Sequence, residues 1–308
     1  MTSTLREAAS RRAEILPEEA RSALAHLRLI PPIRADGRVS GLHRSTHLGQ
    51  SLEFSELKAY SFGDNLRAVD WRVFARTDRL YVRRFFDETN LQAHLVLDAS
   101  GSMAYPAPRS KFVHAASVLA GLAYVLLRQS DEVGLVVAHE KRPKRYPPRS
   151  SPAYLSEFLE YLAEASASDG TTLESAVREL ACTGLRRGLV LIASDFLTRL
   201  EPILAVLQSL VVRGHCVAVL HVLSPEERAF PFRGPTVFRS VETEETALVD
   251  ATALRRHYLD AIERFVGRLR ARCHEAGVFY VPLQMDRPPH ENAAEVIRSL
   301  SRAEAIPR

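Results

Sequence analysis

Leu91-Gln92-Ala93-His94-Leu95-Val96-Leu97-Asp98-Ala99-Ser100-Gly101-Ser102 is the stretch on which the fold turns. Its first seven residues form an apolar run of strand length, and a carboxylate and two hydroxyls follow at alternate positions. Asp98, Ser100 and Ser102 can therefore face one centre from a single tight turn. Hard oxygen donors of that kind suit Mg²⁺ or Mn²⁺. Asp and Ser at strand ends are also ordinary N-caps of a following helix, so the pattern acquires meaning only from its context.

Downstream of Ser102 the pattern alternates. It predicts a helix over 111–127, a strand over 133–138, a short strand near Arg145, and helices over 153–163 and 173–180. A strand over 189–193, a helix over 202–211 and a strand over 216–223 continue the series. A hairpin-like excursion at 237–241 and 247–249 interrupts it before a long helix, 254–273, and a last strand, 278–282. Strands and helices taking turns specify an α/β fold, a doubly wound, mostly parallel sheet with helices on both faces.

Ligands of such sheets sit beyond the carboxyl ends of the strands, where the strand order reverses. Asp98 closes one predicted strand and Asp195 follows another, while Asp169-Gly170-Thr171-Thr172 lies between them and offers a third hydroxyl. Three hydroxyls and two carboxylates supply most of an octahedral oxygen shell, with waters completing it. An open position on such an ion could accept a carboxylate from another protein.

Composition narrows the remaining classes. The 308 residues carry a formal charge of only +4, and lysine occurs at Lys58, Lys111, Lys141 and Lys144 alone. Cys182, Cys216 and Cys273 are odd in number and lack C-x-x-C spacing, which suggests neither a disulfide framework nor structural zinc and fits a cytoplasmic location. The N-terminus has no apolar core of a signal peptide. The longest apolar stretch, 115–127, falls short of the ~20 residues that cross a bilayer and reads as a buried helix.

Upstream, the first thirty residues read as one amphipathic helix, with Pro17 near its first turn, Leu24, Leu27 and Ile30 on one face, and Pro31-Pro32 stopping it. An irregular segment, 33–51, and a helix over 64–77 follow. A β-like pair, 80–86 and 91–97, would be joined by a turn over 87–90. Trp71, Phe74 and Tyr81 are expected to dock this region on the sheet, and Arg67, Arg72 and Arg76 to pair with Asp64 and Asp70. Residues 1–90 thus form an N-terminal accessory segment and residues 91–303 the sheet domain.

At these residues the chain resembles the MoxR-associated von Willebrand factor A-like proteins that carry the domain of unknown function 58. D-x-S-x-S at Asp98, Ser100 and Ser102, the Thr171 loop and the late Asp195 match the von Willebrand factor A part. The family-specific block is longer: Glu53-Phe54-Ser55-Glu56-Leu57-Lys58-Ala59-Tyr60, then Gly63-Asp64-Asn65-Leu66-Arg67, Val69-Asp70-Trp71 and Ala75-Arg76-Thr77. The resemblance implies a six-stranded von Willebrand factor A-like fold with one antiparallel edge strand and a metal-ion-dependent adhesion site. Ser100, Ser102 and Thr171 would ligate Mg²⁺ or Mn²⁺ directly, with Asp98 and Asp195 acting directly or through water. The loop has Asp169-Gly170 where the family pattern often has Gly-Gly, and Thr172 is a second candidate hydroxyl. Many relatives carry transmembrane helices ahead of this region, and none is recognisable in this chain. The family's usual pairing implies a MoxR-type AAA+ ATPase as partner, and hence a non-enzymatic, metal-dependent protein-binding adaptor.

Two other classes compete. A phosphohydrolase of the haloacid dehalogenase type would use Asp98 as nucleophile on Mg²⁺-bound phosphate, but it wants a second Asp where Ser100 stands. Nucleic-acid binding is suggested by Lys141-Arg142-Pro143-Lys144-Arg145-Tyr146-Pro147-Pro148-Arg149, although this stretch also reads as a solvated edge hairpin whose Lys and Pro residues discourage edge pairing. Neither a G-x-x-x-x-G-K-[ST] nor a G-x-G-x-x-G pattern occurs. His215 and His221 lie too far apart along one strand to chelate one ion and read as packed residues.

Overall fold

The computed structural model describes residues 13–35, 38–39, 44–45, 54–61, 69–85, 87–88, 91–139, 142–167, 173–240 and 245–302. The chain divides into two compact units, one of Arg34–Asn90 and one of Met1–Ile33 with Leu91–Arg308.

The larger unit is built on a sheet of β1 (Gln92–Asp98), β2 (Glu132–Ala138), β3 (Lys144–Arg149), β4 (Leu189–Ser194), β5 (Cys216–Leu223) and β6 (Phe279–Gln284). Their order is β6-β5-β4-β1-β2-β3, parallel throughout except for the antiparallel edge strand β3. The inner strands are continuous apolar runs because both of their faces are covered. Ala93, Leu95, Leu97, Leu191 and Leu220 pack on one face with α1 (Lys111–Arg128), α2 (Tyr154–Glu164) and α7 (Pro289–Arg302). Val96, Val136, Ile192 and Val219 pack on the other with α3 (Leu173–Cys182), α4 (Leu200–Val212) and α6 (Ala251–Glu275). Alternate residues of each strand thus feed two separate cores, as the period of two requires.

Order reverses between β1 and β4, since β1 continues to β2 on one side and β4 to β5 on the other. Both strands end at this crevice, β1 with Asp98 and β4 with Ser194. The basic stretch expected at an edge is β3, whose pattern of exposure alternates along the strand. Two α-helices of the larger unit have no counterpart in the sequence reading: the short α5 (Pro225–Ala229), and α7, whose Ala293, Val296, Ile297 and Leu300 are buried. Among the described residues α1 alone is long and apolar enough to cross a membrane, and it is the central buried helix of the first core.

The accessory segment does not run unbroken from residue 1 to residue 90. Residues 15–33 belong to the sheet domain, because Leu16, Leu24 and Leu29 are buried in its first core. Gly121 makes room for them: Leu24 Cδ1 lies 2.9 Å from where a Cβ on that glycine would stand. Gln129 then fixes the backbone of Leu29, its Oε1 accepting from the N–H at 2.8 Å and its Nε2 donating to the carbonyl at 3.1 Å. The single helix expected over the first thirty residues is a short one, Glu18–Leu24, with Pro17 as its N-cap and a separate helical stretch at 13–15 before it. Proline lacks the N–H that a continuous helix would need and disfavours helical backbone at Leu16.

The smaller unit also corrects the expected strand pairing. Tyr81–Phe85 pairs antiparallel with Phe54–Ala59, not with 91–97. β1 has no edge left for it, being flanked by β2 and β4. The helix expected over 64–77 is described from Trp71 to Thr77, and Asp70 caps it by accepting the N–H groups of Arg72 and Val73. Asp70, expected to face arginine side chains, thus also serves as the N-cap of this helix. Val69 and Val82 are buried, whereas Trp71 is 60% exposed and stands edge-on to Phe74. Asp64 and Arg67 lie outside the described residues.

Candidate metal centre

Asp98 ends β1, and the chain leaves the sheet through Ala99 into a short 3₁₀ turn, Gly101–Ala104, that carries Ser102. The Asp98 side chain accepts the N–H of Ser100 on Oδ1 at 3.0 Å and the hydroxyl of Ser194 on Oδ2 at 2.6 Å. Ser194 in turn accepts the N–H of Phe196 at 2.8 Å. Ser100 Oγ and Ser102 Oγ lie 3.1 Å apart. Asp98, Ser100, Ser102 and Asp195 are all buried. The structure therefore brings together four of the five residues the sequence singled out. Thr171, the fifth, and its neighbour Thr172 lie outside the described residues.

Asp195 is held on the adjacent strand end by a turn in which Phe196 takes φ +53°, a left-handed conformation uncommon for a non-glycine residue. That turn aims the Leu197 N–H at Asp195 Oδ1, 3.1 Å away. Behind it, the buried His221 on β5 meets the Asp195 carbonyl through Nε2 at 3.1 Å and the Tyr280 hydroxyl through Nδ1 at 2.7 Å. Donation from Nε2 to the carbonyl leaves Nδ1 to accept from tyrosine, so both contacts are satisfied by the neutral ring. Burial lowers the His221 imidazole to about 4 and keeps it neutral. His221 is thus a support for the Asp195 backbone, and its place behind the strand end agrees with a packed residue.

The second oxygen of Asp195 has a partner that sequence reasoning missed. Lys111, the first residue of α1, is fully buried, with Nζ 2.7 Å from Asp195 Oδ2 and 2.5 Å from Glu227 Oε1. Glu227 is fixed by a capping box: its Oε2 accepts the Ser224 N–H at 2.8 Å, and its own N–H donates to Ser224 Oγ at 3.1 Å. A cation at the first position of an 18-residue helix opposes the positive end of the macrodipole, so this ammonium depends on its two carboxylates. Two signals for it exist in sequence: lysine is scarce, and Ser224-Pro225-Glu226-Glu227 spells the capping box. Ser194 had no signal beyond its place before Asp195.

Electrostatics favour a cation here. Burial raises the Asp98 carboxyl to about 6; the Ser194 hydrogen bond opposes this and the nearby Asp195 charge reinforces it. With every group ionised, Asp98, Asp195 and Glu227 carry three negative charges against one positive charge on Lys111. A dication would balance the remainder. Among the described residues no three His, Cys, Asp or Glu side chains gather as a metal cluster. The donors that do converge are hydroxyls backed by carboxylates, a set that fits hard Mg²⁺ or Mn²⁺ rather than zinc.

The chain is similar to several known proteins. The family described as "Protein of unknown function DUF58" matches residues 56–265. The uncharacterized protein Rv1480 of Mycobacterium tuberculosis is 28% identical over 229 residues, covering 72% of this chain and 71% of that one. Among solved structures, conserved hypothetical protein BatB from Bacteroides thetaiotaomicron is 17% identical, over 69% of this chain and 98% of that one, with a TM-score of 0.45. The SpRpn10 VWA domain is 9% identical, over 70% of this chain and all of that one, with a TM-score of 0.41. The strand order of the sheet, rather than those scores, carries the description of the domain as von Willebrand factor A-like.

Proposed function

This chain belongs to the DUF58 family of proteins of unknown function, and from its oxygen cup we propose that it is a non-enzymatic, metal-dependent protein-binding adaptor. Ser100 and Ser102 would hold Mg²⁺ or Mn²⁺ through their hydroxyls, with Thr171 as the third. Asp98 and Asp195 would act directly or through water, and each of their four oxygens already accepts one hydrogen bond that positions it. The ion would supply a positive centre at the crevice, and its open position takes an acidic residue of a protein ligand. The family resemblance makes a MoxR-type AAA+ ATPase the expected partner, with the adaptor acting in the cytoplasm on assembly or maturation of a client.

One observation carries this reading. Two buried carboxylates and two hydroxyls converge where the strand order reverses, and each carboxylate oxygen is positioned by one hydrogen bond. Hydrogen bonds to both oxygens of Asp98 lower its nucleophilicity, which favours adhesion over phosphoryl transfer.

The test is affinity capture on the full chain from native lysate, with Mg²⁺ or with chelator, using wild type and Asp98→Ala. Retention of an AAA+ ATPase only with metal and intact Asp98 is the expected result. Retention indifferent to both would move the interface elsewhere. Metal-dependent release of phosphate from a generic aryl phosphate, lost in Asp98→Ala, would replace the adaptor with a hydrolase.

A further inference from the structure

We propose that Lys111 is the affinity-determining residue of the cup, a tethered cation that occupies one oxygen of Asp195 and keeps divalent metal binding weak. The inference rests on the metal reading above. Lys111 Nζ sits between Asp195 Oδ2 and Glu227 Oε1, and its side chain has no exposed surface. It therefore stays with these carboxylates rather than extending into water. Asp195 Oδ1 is meanwhile occupied by the Leu197 N–H. A metal ion can thus engage Asp195 through the remaining lone pair of Oδ1 or through water, and can reach Oδ2 only in competition with the ammonium.

Charge gives the same direction. Without Lys111 the buried groups would present three carboxylates to an incoming dication, and with it they present a net charge of two. Like charge near the site lowers cation affinity, and buried surroundings screen that effect little. An ion held this loosely gains most from one more carboxylate, so a partner's acidic residue and the metal would stabilise each other's binding. Glu227 extends the device. It draws the ammonium partly away from Asp195 and ties it to α5, the element that leads into the hairpin Pro235–Arg239 and Thr246–Asp250.

Mn²⁺ binding to the full chain, read by the paramagnetic resonance signal of the free ion, tests the role of Lys111. Lys111→Met should bind Mn²⁺ about tenfold more tightly than wild type, a difference of about 1.4 kcal/mol. Equal or weaker binding by a folded Lys111→Met overturns the proposal. Removing one member of a buried ion pair is strongly destabilising, so Glu227→Gln provides a second arm that keeps the ammonium. Glu227→Gln leaves Lys111 wholly to Asp195 and should bind Mn²⁺ several-fold more weakly; unchanged or tighter binding overturns the proposal as well. Asp98→Ala separates the two failures. Mn²⁺ bound by wild type and lost in Asp98→Ala keeps the cup, whatever Lys111→Met shows. Mn²⁺ bound by neither overturns both the cup and the role of Lys111.

Discussion

Ser194 donates its hydroxyl to Asp98 Oδ2 at 2.6 Å, joining the carboxyl ends of two adjacent parallel strands at the point where the sheet reverses order. The bond is buried and the same hydroxyl accepts the Phe196 N–H, so one oxygen positions both the first acid of the cup and the turn that carries the second. Ser194→Ala leaves a buried carboxylate oxygen and a buried N–H without this partner. It should lower stability by about 1–3 kcal/mol and weaken Mn²⁺ binding. Urea unfolding and Mn²⁺ titration of one preparation check both effects, and a change in neither would detach Ser194 from the site.

Gly188 precedes β4 at a place where only glycine fits. A Cβ there would stand 2.0 Å from the carbonyl oxygen of Gln92 on β1, and that backbone cannot yield as a flexible side chain would. Gly188→Ala should therefore force β4 and β1 apart at their starts and destabilise the domain by more than about 2 kcal/mol. A melting temperature within two degrees or so of wild type would show that the strands meet differently.

Leu24 tests the reassigned N-terminal boundary. It is 1% exposed, packed where Gly121 opens the surface of α1. Leu24→Ala should cost about 2–5 kcal/mol, the range for a buried leucine. Denaturant unfolding followed by far-ultraviolet circular dichroism reports the whole sheet domain, and an unchanged midpoint would return residues 15–33 to a detached segment.

Asp131 introduces a pH dependence away from the cup. It caps the start of β1 by accepting the Leu91 N–H at 2.9 Å, and burial raises its carboxyl to about 7 against the lowering effect of that bond. A folded value above the unfolded one means that the folded state holds the proton more tightly. Its contribution to stability is present below about pH 4 and is lost as pH rises towards 7. Asp131→Asn retains an oxygen for Leu91 and cannot ionise, so relative to wild type it should gain on the order of 1–3 kcal/mol between about pH 4.5 and pH 8. Urea midpoints at the two pH values decide this; a constant difference would mean that Asp131 does not titrate in that window.

Much of the fold was legible in the order of apolar runs. The strand expected over 216–223 is observed at those residues, and every other strand and helix expected from Lys111 to Gln284 appears within a few residues of its expected limits. Each is long or periodic enough for local pattern to identify it. The run 80–86 pairs elsewhere than its sequence suggests, because adjacency favours a hairpin with 91–97 and nothing local reveals that β1 is already flanked on both sides. The first helix is shorter than its apolar spacing suggests: Leu27 and Ile30 continue the period, but the helix starts after Pro17 and ends at Leu24.

The parallel α/β architecture, the crevice and the choice of Asp98, Ser100, Ser102 and Asp195 as candidates are all readable in the chain before it folds, since they follow from periodicity and from residues a few positions apart. Tertiary structure decided how those acids are held. Ser194, Lys111 and Glu227 stand 96, 84 and 116 residues from the groups they bind, and such pairings arise only when the sheet brings strand ends and helix termini together. A buried charge is fixed by whatever surrounds it in space, so the balance of three carboxylates against one ammonium became visible only once the chain was folded.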